Sequence, residues 1–415
     1  MKYDLDKIIK EVDEKIIKDT RFHYIDEVEE YYSDLIIKSF KEEQLSTSDL
    51  YGTTGYGYGD VGRDKIDRIF ANVLDSESAI ARGQFISGTH ALTVTFFGLL
   101  RPGDTLLSIT GKPYDTMDEV IGIRENPSSL KSFGINFDYI DLKNNEFDLD
   151  KIKEYLKNHK VKVIEIQRSR GYSDRNSISI LELGKIVKFI RTIDKKVIIM
   201  VDNCYSEMID IKTPTSTNVG CDIMVGSLIK NLGGGIASNG AYVAGRKELV
   251  DLVAERLTVP GQGAEVGPSI DMNKQILLGL YMAPSVVASS IKTNIFASLL
   301  LEKLKICTNP KYKDKRNDIV LAITFNDRNK LIKFVEGIQE YSAIDNYIKP
   351  IPSCMPGYVD KIIMASGSFT QGSSIEISCD GPLRKPFIAY LQGGLTYKYG
   401  RLAVIHAIKK VLDEE

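Results

Sequence analysis

VIIMVDNCYSE at 197–207 and VGSLIKNLGGGIASNGAYVAG at 225–245 decide how this chain folds. The first is a β-branched apolar run that ends in an acid, Asp202. The second opens on a short apolar run, and just past it Lys230 stands before three glycines, Gly233–Gly235. Short, continuous apolar runs are the mark of strands buried on both faces of a sheet. A lysine placed between such a run and a glycine turn has no packing reason to be there. An acid and a lysine at the carboxyl ends of successive strands stand where open parallel sheets hold their functional groups.

Working outward, similar runs recur at 105–109, 135–140, 161–167, 222–226 and 240–244, with helical stretches at 149–158 and 179–193 among them. That alternation predicts an α/β fold with a mostly parallel central sheet and helices on both faces. Before it, 3–43 reads as two helices, with Leu5, Ile8, Ile9, Val12, Ile16 and Ile17 at helical spacing. YGTTGYGYGDVG at 51–62 reads as a loop, 64–74 as a helix, and 87–100 as a loop feeding a helix that Pro102-Gly103-Asp104 ends. After a helix at 247–257 and a loop at 260–268, 269–304 offers long helical material that bridges to a second domain. Residues 310–415 read as a smaller α+β domain, with strands at 319–325, 361–365 and 374–379 and a last helix at 399–413. The expected division is a helical arm at 1–50, a large domain at 51–285 and a small domain at 286–415.

The 415 residues suffice for two cores, and 43% hydrophobic and 27% charged content is ordinary for a globular chain. A formal net charge of -2 implies no nucleic-acid or anionic membrane partner. The mixed block KYKDKR at 311–316 reads as a solvated loop. Five scattered cysteines without a CxxC pair, and four histidines without a metal-binding spacing, suggest neither a disulfide framework nor a metal site. The acidic, amphipathic N-terminal stretch does not read as a signal peptide, and no apolar run is read as membrane-spanning. Together these point to a reducing, cytoplasmic setting.

The lysine and acid suit one chemistry in particular. Enzymes that use pyridoxal 5'-phosphate (PLP) bind its aldehyde to a lysine as a Schiff base, and the freed lysine then moves protons. Lys230 is the candidate, and the glycines after it let backbone and substrate approach closely. A surface lysine in a loop is the plainer alternative. Asp202 suits the anion beside the pyridine nitrogen, although an acid after a strand is often only a turn or cap. Ser87-Gly88-Thr89-His90 before an apolar helix suits a phosphate cradle, with Ser227 adding a hydroxyl, and equally an ordinary N-cap. Tyr114 and His90 are candidates for stacking on the cofactor ring. The glycine run also raises a nucleotide-phosphate loop, but neither GxxxxGK[ST] nor a properly placed GxGxxG is present.

YGYGDVGRDKID (56–67), SGTHAL (87–92), VDNCY (201–205), GSLIKNLGGG (226–235) and GPLRKPFIAYLQGGLTY (381–397) together resemble the methionine γ-lyase-like, or aluminium-resistance, proteins. These belong to the cystathionine lyase branch of PLP-dependent enzymes with the aspartate-aminotransferase fold (fold type I). The resemblance covers nearly the whole chain. It implies Lys230 as the Schiff-base lysine, Asp202 as partner of the pyridine nitrogen, and Ser87, Gly88, Thr89 and Ser227 at the phosphate. It also implies Tyr114 as the stacking tyrosine, and Tyr58 or its neighbour Tyr56 reaching the phosphate of a neighbouring subunit. The site would then be shared across a dimer, in a branch that is usually tetrameric. Arg384 resembles the arginine that clamps the substrate carboxylate, a task suited to a planar guanidinium; Arg401 and Arg316 are poorer candidates.

The chain also departs from the pattern. Ile229 replaces a hydroxyl residue before the lysine. Asp60 stands where an arginine follows the shared tyrosine, with Arg63 as a possible substitute. IQRSRGYSD (166–174) replaces an Asn-Pro sequence at the cofactor's phenolic oxygen, leaving Gln167 or Arg170 for that contact. The expected activity is β- or γ-elimination on a sulfur amino acid such as cystathionine or methionine, releasing a keto acid, ammonia and a thiol. A PLP-binding stress protein with weak or lost catalysis, and a phosphate-binding α/β enzyme without PLP, are the competing expectations.

Overall fold

The computed structural model describes residues 4–173 and 175–413, so Asp174 and the outermost ends of the arm and small domain lie outside it. Seven short strands make the main sheet: β1 (Ser78–Arg82), β2 (Thr105–Ser108), β3 (Asn136–Tyr139), β4 (Val163–Gln167), β5 (Ile198–Asp202), β6 (Ile223–Ser227) and β7 (Ala241–Gly245). Their spatial order is β1-β7-β6-β5-β4-β2-β3. The pairs among β2–β6 are parallel, and β7 runs antiparallel between β1 and β6. The fold is therefore α/β with a mostly parallel sheet, as the alternating runs predict.

Both faces of that sheet are buried, which is why its strands carry little polarity. Val163, Met200, Val225 and Val243 face one apolar cluster, and Ile164, Ile199, Val201, Met224 and Ala244 face another. Around the sheet run α1 (Leu5–Ile17), α2 (Thr20–Glu42), α3 (Val61–Val73), α4 (Gly88–Leu99), α5 (Asp118–Ile121), α6 (Leu149–Asn158), α7 (Ile180–Ile193), α8 (Lys247–Leu257) and α9 (Asn273–Lys303). Helices α4 and α8 pack together on the first face, while α2 of the arm lies along α9.

Helix α9 corrects one expectation. By length and composition it is long and apolar enough to cross a membrane, yet 67% of its most apolar stretch is buried inside this fold. Its residues Leu280, Ala283, Phe296, Ala297, Leu300 and Leu301 are core. It reads as the central helix of a globular core, and it runs unbroken through the expected 285/286 domain boundary.

The C-terminal part carries β8 (Cys307–Asn309), β9 (Val320–Thr324), β10 (Ile362–Ala365), β11 (Ser378–Pro382) and β12 (Ile388–Gln392). These form an antiparallel sheet in the order β10-β11-β12-β9-β8. Helices α10 (Arg328–Glu340) and α11 (Tyr397–Leu412) pack against each other beside it. Strands β1, β8 and β12 are additions to the expected set.

Candidate active site

Strand β5 ends on Asp202 and strand β6 on Ser227, with Asp202 in register with Val225. Lys230 follows within the same turn, half-buried, its Nζ lying 3.9 Å from the centre of the Tyr205 ring. The glycines after it are explained by packing. A Cβ on Gly233 would fall onto the Leu228 carbonyl, and one on Gly234 onto the Gly279 carbonyl of α9. Gly234 and Gly235 take φ of 54° and 71°, where a side chain is unfavourable. The run therefore folds the lysine loop tightly onto α9, the close backbone approach expected of these glycines.

Asp202 is buried, and its Oδ1 accepts the Cys204 N–H at 3.0 Å. Burial raises its pKa, while the positive charge of Lys230 and the Cys204 amide pull it back down. Burial opposes the charge on Lys230, but Cys204, Tyr205 and Asp202 around it outweigh burial and hold the amine above the ordinary lysine range. The acid and the amine thus stabilise each other's charged forms, as an opposite pair in a poorly solvated pocket does.

Beside them, α4 points its first turn at Ser227. Ser87 caps the helix, its Oγ accepting the His90 N–H at 3.1 Å. The N–H groups of Gly88 and Thr89 sit in the first turn, where no intrahelical acceptor exists. A Cβ on Gly88 would stand 3.2 Å from Ser227 Cβ and 3.4 Å from Cys204 Sγ. The Ser227 hydroxyl is buried and has no hydrogen-bond partner in the chain. An orphaned hydroxyl facing unpaired amides at a helix N-terminus fits an anion. The residues present therefore fit the phosphate of PLP, with Asp202 and Lys230 fitting its ring nitrogen and aldehyde.

Tyr114 lies half-buried at the mouth of this site. Its N–H donates to Gln167 Oε1 at 2.9 Å, and Gln167 Nε2 donates to the Ser169 carbonyl at 3.0 Å. The Gln167 oxygen thereby holds the Tyr114 backbone, and its Nε2 ties back to the Ser169 carbonyl. Arg170 reaches Asn309 in β8 at 3.0 Å, tying β4 to the small sheet. His90 accepts the Ile86 N–H on Nδ1 and sits edge-on to Phe85, so it braces the loop before α4.

Other candidates also find structural uses. Arg63, 1% exposed, donates to the carbonyls of Gly57, Gly267 and Glu265, and Asp60 caps α3 while accepting from Thr53, Ser269 and Asn273. Neither offers a free group to a ligand. Arg316 is buried among the Lys311 and Asp314 carbonyls and Ser298, and Arg401 pairs with Asp13. Arg384 does reach the site's rim. It pairs with Asp360 at 2.9 Å, donates to the Tyr172 carbonyl at 3.1 Å, and walls a cleft with Tyr114, Gln167, Arg170 and Tyr172. Tyr56 and Tyr58 stack on each other at 5.5 Å and are 70% and 61% exposed, outside their own chain's site.

The structure adds groups that the sequence did not single out. Tyr172, Tyr205 and Tyr358 gather around Tyr114, and the Tyr114 and Tyr358 hydroxyls are hydrogen-bonded. Asp380 of β11 approaches from the small sheet, its pKa pushed by burial up to about 6. Two further buried acids flank the site, Glu165 beside Asp202 and Glu207 below Lys230, both raised by burial to about 7. None lies near Lys230 in sequence spacing of a known motif; long-range packing alone brings them in.

Comparison with known proteins agrees with this geometry. The family model for methionine gamma-lyase matches residues 5–412. The uncharacterized protein YnbB of Bacillus subtilis (strain 168) is 43% identical over 394 residues, covering 94% of this chain and 93% of that protein. The structure of a carbon-sulfur lyase involved in aluminum resistance from Clostridium novyi NT superposes with a TM-score of 0.93 at 42% identity, over 98% of this chain and 96% of that one. A PLP-dependent protein from Escherichia coli, YhfS, shares the fold with a TM-score of 0.64 at 16% identity, over 94% of this chain and 97% of that one. On the full-length family match and the likeness to YnbB, this chain belongs to the methionine gamma-lyase family.

Proposed function

We propose that the chain is a PLP-dependent carbon–sulfur lyase that carries out β- or γ-elimination on a sulfur-containing amino acid. One observation carries the reading: Lys230 and Asp202 stand at the ends of adjoining strands, beside a buried, unpartnered Ser227 hydroxyl and the N-terminus of α4. PLP, when bound, supplies an electron sink that makes the substrate Cα proton removable.

The chain's own groups supply the rest. Ser227 Oγ and the N–H groups of Gly88 and Thr89 hold the phosphate. Asp202 would keep a proton on the pyridine nitrogen, and Tyr114 would supply the aromatic ring beside it. Lys230 Nζ would accept the Cα proton of the substrate. Arg384 receives the substrate carboxylate by exchanging Asp360 for it. Tyr114 presents its hydroxyl to the departing sulfur. Tyr56 and Tyr58, exposed in one chain, complete the phosphate site of a second copy, so the working unit is a homodimer.

The names of the similar proteins support the reaction class, a carbon–sulfur lyase in one case. The test is to load purified protein with PLP, record its visible absorbance, and assay keto acid from cystathionine, methionine and cysteine. A visible band that is absent in Lys230→Ala, with keto acid from at least one substrate, is expected. A colourless wild-type protein under saturating PLP would refute the proposal. A coloured protein that turns over none of the three would instead favour a binding role.

A further inference from the structure

The tyrosines around Tyr114 carry an inference that rests on the lyase reading. When a carbon–sulfur bond breaks, its electron pair stays on sulfur, and a thiolate leaves well only if a proton reaches it. Tyr114 is placed to give that proton. Its phenol is held well above the ordinary range, first by burial and then by Tyr358, Tyr205 and Asp380 nearby. A phenolate left on Tyr114 would be a poorly solvated charge facing a carboxyl group. The donor therefore needs a proton from behind as it gives one up in front.

One hydroxyl meets that need. Tyr358 Oη is hydrogen-bonded to Tyr114 Oη, the rings standing edge-to-face at 5.9 Å and 81°. Tyr358 comes from the segment before β10, in the small domain, and is half-buried. Tyr172, the other neighbouring phenol, forms no hydrogen bond of good geometry and interacts with both Tyr114 and the buried Asp380 carboxyl. Tyr358 is also the less deeply buried member of the pair. Burial pushes it up to about 12, while its bond to Tyr114 and the charge of Lys230 draw it down.

We propose that Tyr358 is a positioning residue that hands its hydroxyl proton to Tyr114 as Tyr114 protonates the leaving sulfur. The balance is simple. The carbon–sulfur pair goes to sulfur, the Tyr114 proton follows it, the Tyr358 proton moves to the Tyr114 oxygen, and the negative charge rests on the Tyr358 oxygen. Water at the cleft returns the proton. The charge thus ends on the phenol that is nearer solvent.

The test is Tyr358→Phe, which removes one oxygen and keeps the ring packing, compared across substrates with different leaving groups. For substrates releasing an alkanethiol, kcat should fall tenfold or more. For an S-aryl substrate releasing a thiol of low pKa, the fall should stay within about twofold, because that sulfur needs no proton in the transition state. An equal loss for both substrates, or no loss for either, overturns the proposal. So does the same leaving-group split in Tyr172→Phe. A second readout needs neither cofactor nor turnover. In cofactor-free protein labelled with 13C at tyrosine Cζ, Y358F should shift the Tyr114 signal, identified by its loss in Y114F; an unmoved signal also overturns the pairing. If wild-type protein yields no keto acid from any substrate, the lyase reading itself has failed, and the labelled spectrum still decides the phenol pair.

Discussion

At the residue scale, the acids under the site make a prediction about stability. Glu207 is 2% exposed, and its Oε1 accepts the Tyr242 hydroxyl at 3.1 Å while Oε2 has no partner. Burial raises its pKa from 4.5 to about 7. A carboxyl whose folded pKa lies above its unfolded value binds more protons folded than unfolded. Stability then falls as pH rises from about 4.5 to 7, and the full cost applies above 7. At about 1.4 kcal/mol per pKa unit, the step is roughly 3 kcal/mol for cofactor-free protein. Glu207→Gln keeps an acceptor for Tyr242 and removes the titration. Its urea midpoint should change less between pH 5 and pH 8 than that of the wild type, and its gain should appear at pH 8. An unchanged pH dependence would show that Glu207 is ionised at low pH, with a counter-charge closer than Lys230.

What was legible at this scale follows from the same physics. Lys230 and Asp202 could be read because both stand at or just past the ends of apolar runs, where an open parallel sheet gathers its functional groups, and each run lies within a few residues. Asp380, Tyr172 and Tyr358 could not, because each looks ordinary beside its sequence neighbours. They become a site only when the small sheet is laid against the large one. Gln167 was found, but its bonds to Tyr114 and Ser169 depend on a loop conformation that no spacing encodes.

At the element scale, the first turn of α4 joins fold and function. Ser87 holds that turn, and Gly88 gives it room against Ser227 and Cys204. A methyl group at position 88 would sit 3.2–3.4 Å from both, in the space that the phosphate needs. Alanine is also a better helix former than glycine by about 1 kcal/mol. Gly88→Ala should therefore leave the thermal midpoint of cofactor-free protein within a few degrees while weakening PLP binding at least tenfold, read by titrating the visible band. Equal PLP affinity in the variant would place the phosphate elsewhere.

The strands show why element boundaries were partly readable. Strands β5 and β6 open on uninterrupted apolar runs and β4, VIEIQ, is apolar but for Glu165 and its last residue, so their sequence declares them. Strand β1, SAIAR, carries Arg82, which reads as loop. In the fold that arginine is 3% exposed and paired with Asp67, a partner on α3 that only tertiary structure supplies. Strand β12 lies inside GPLRKPFIAYLQGGLTY, where Pro386 on one side and Gly393-Gly394 on the other mask a strand of five buried residues. Helix α9 was read as helical from its length, but not as apolar enough to mimic a membrane span, because Pro284 and scattered polar residues break its run.

At the scale of the whole molecule, the exposed Tyr56–Tyr58 stack asks for a second copy. Two large aromatic rings in a glycine-rich loop, exposed beyond 60%, stack on each other and leave most of their surface to solvent. Arg63 nevertheless pins the loop, through Gly57 and the 265–267 segment, so its presentation is fixed rather than floppy. A pinned loop that offers aromatic rings to solvent suits a self-complementary two-fold interface. If those rings complete the partner's phosphate site, each active site needs Lys230 from one chain and Tyr58 from the other. Lys230→Ala and Tyr58→Ala are then each inactive alone, the second through lost PLP affinity. Mixing them one to one, with dissociation and reassociation, makes about half the dimers mixed. Each mixed dimer has one site carrying both defects and one carrying neither, so about a quarter of wild-type activity should return. Activity that stays at the sum of the two variants, in material shown by mass to contain mixed dimers, would mean that each chain builds its site alone.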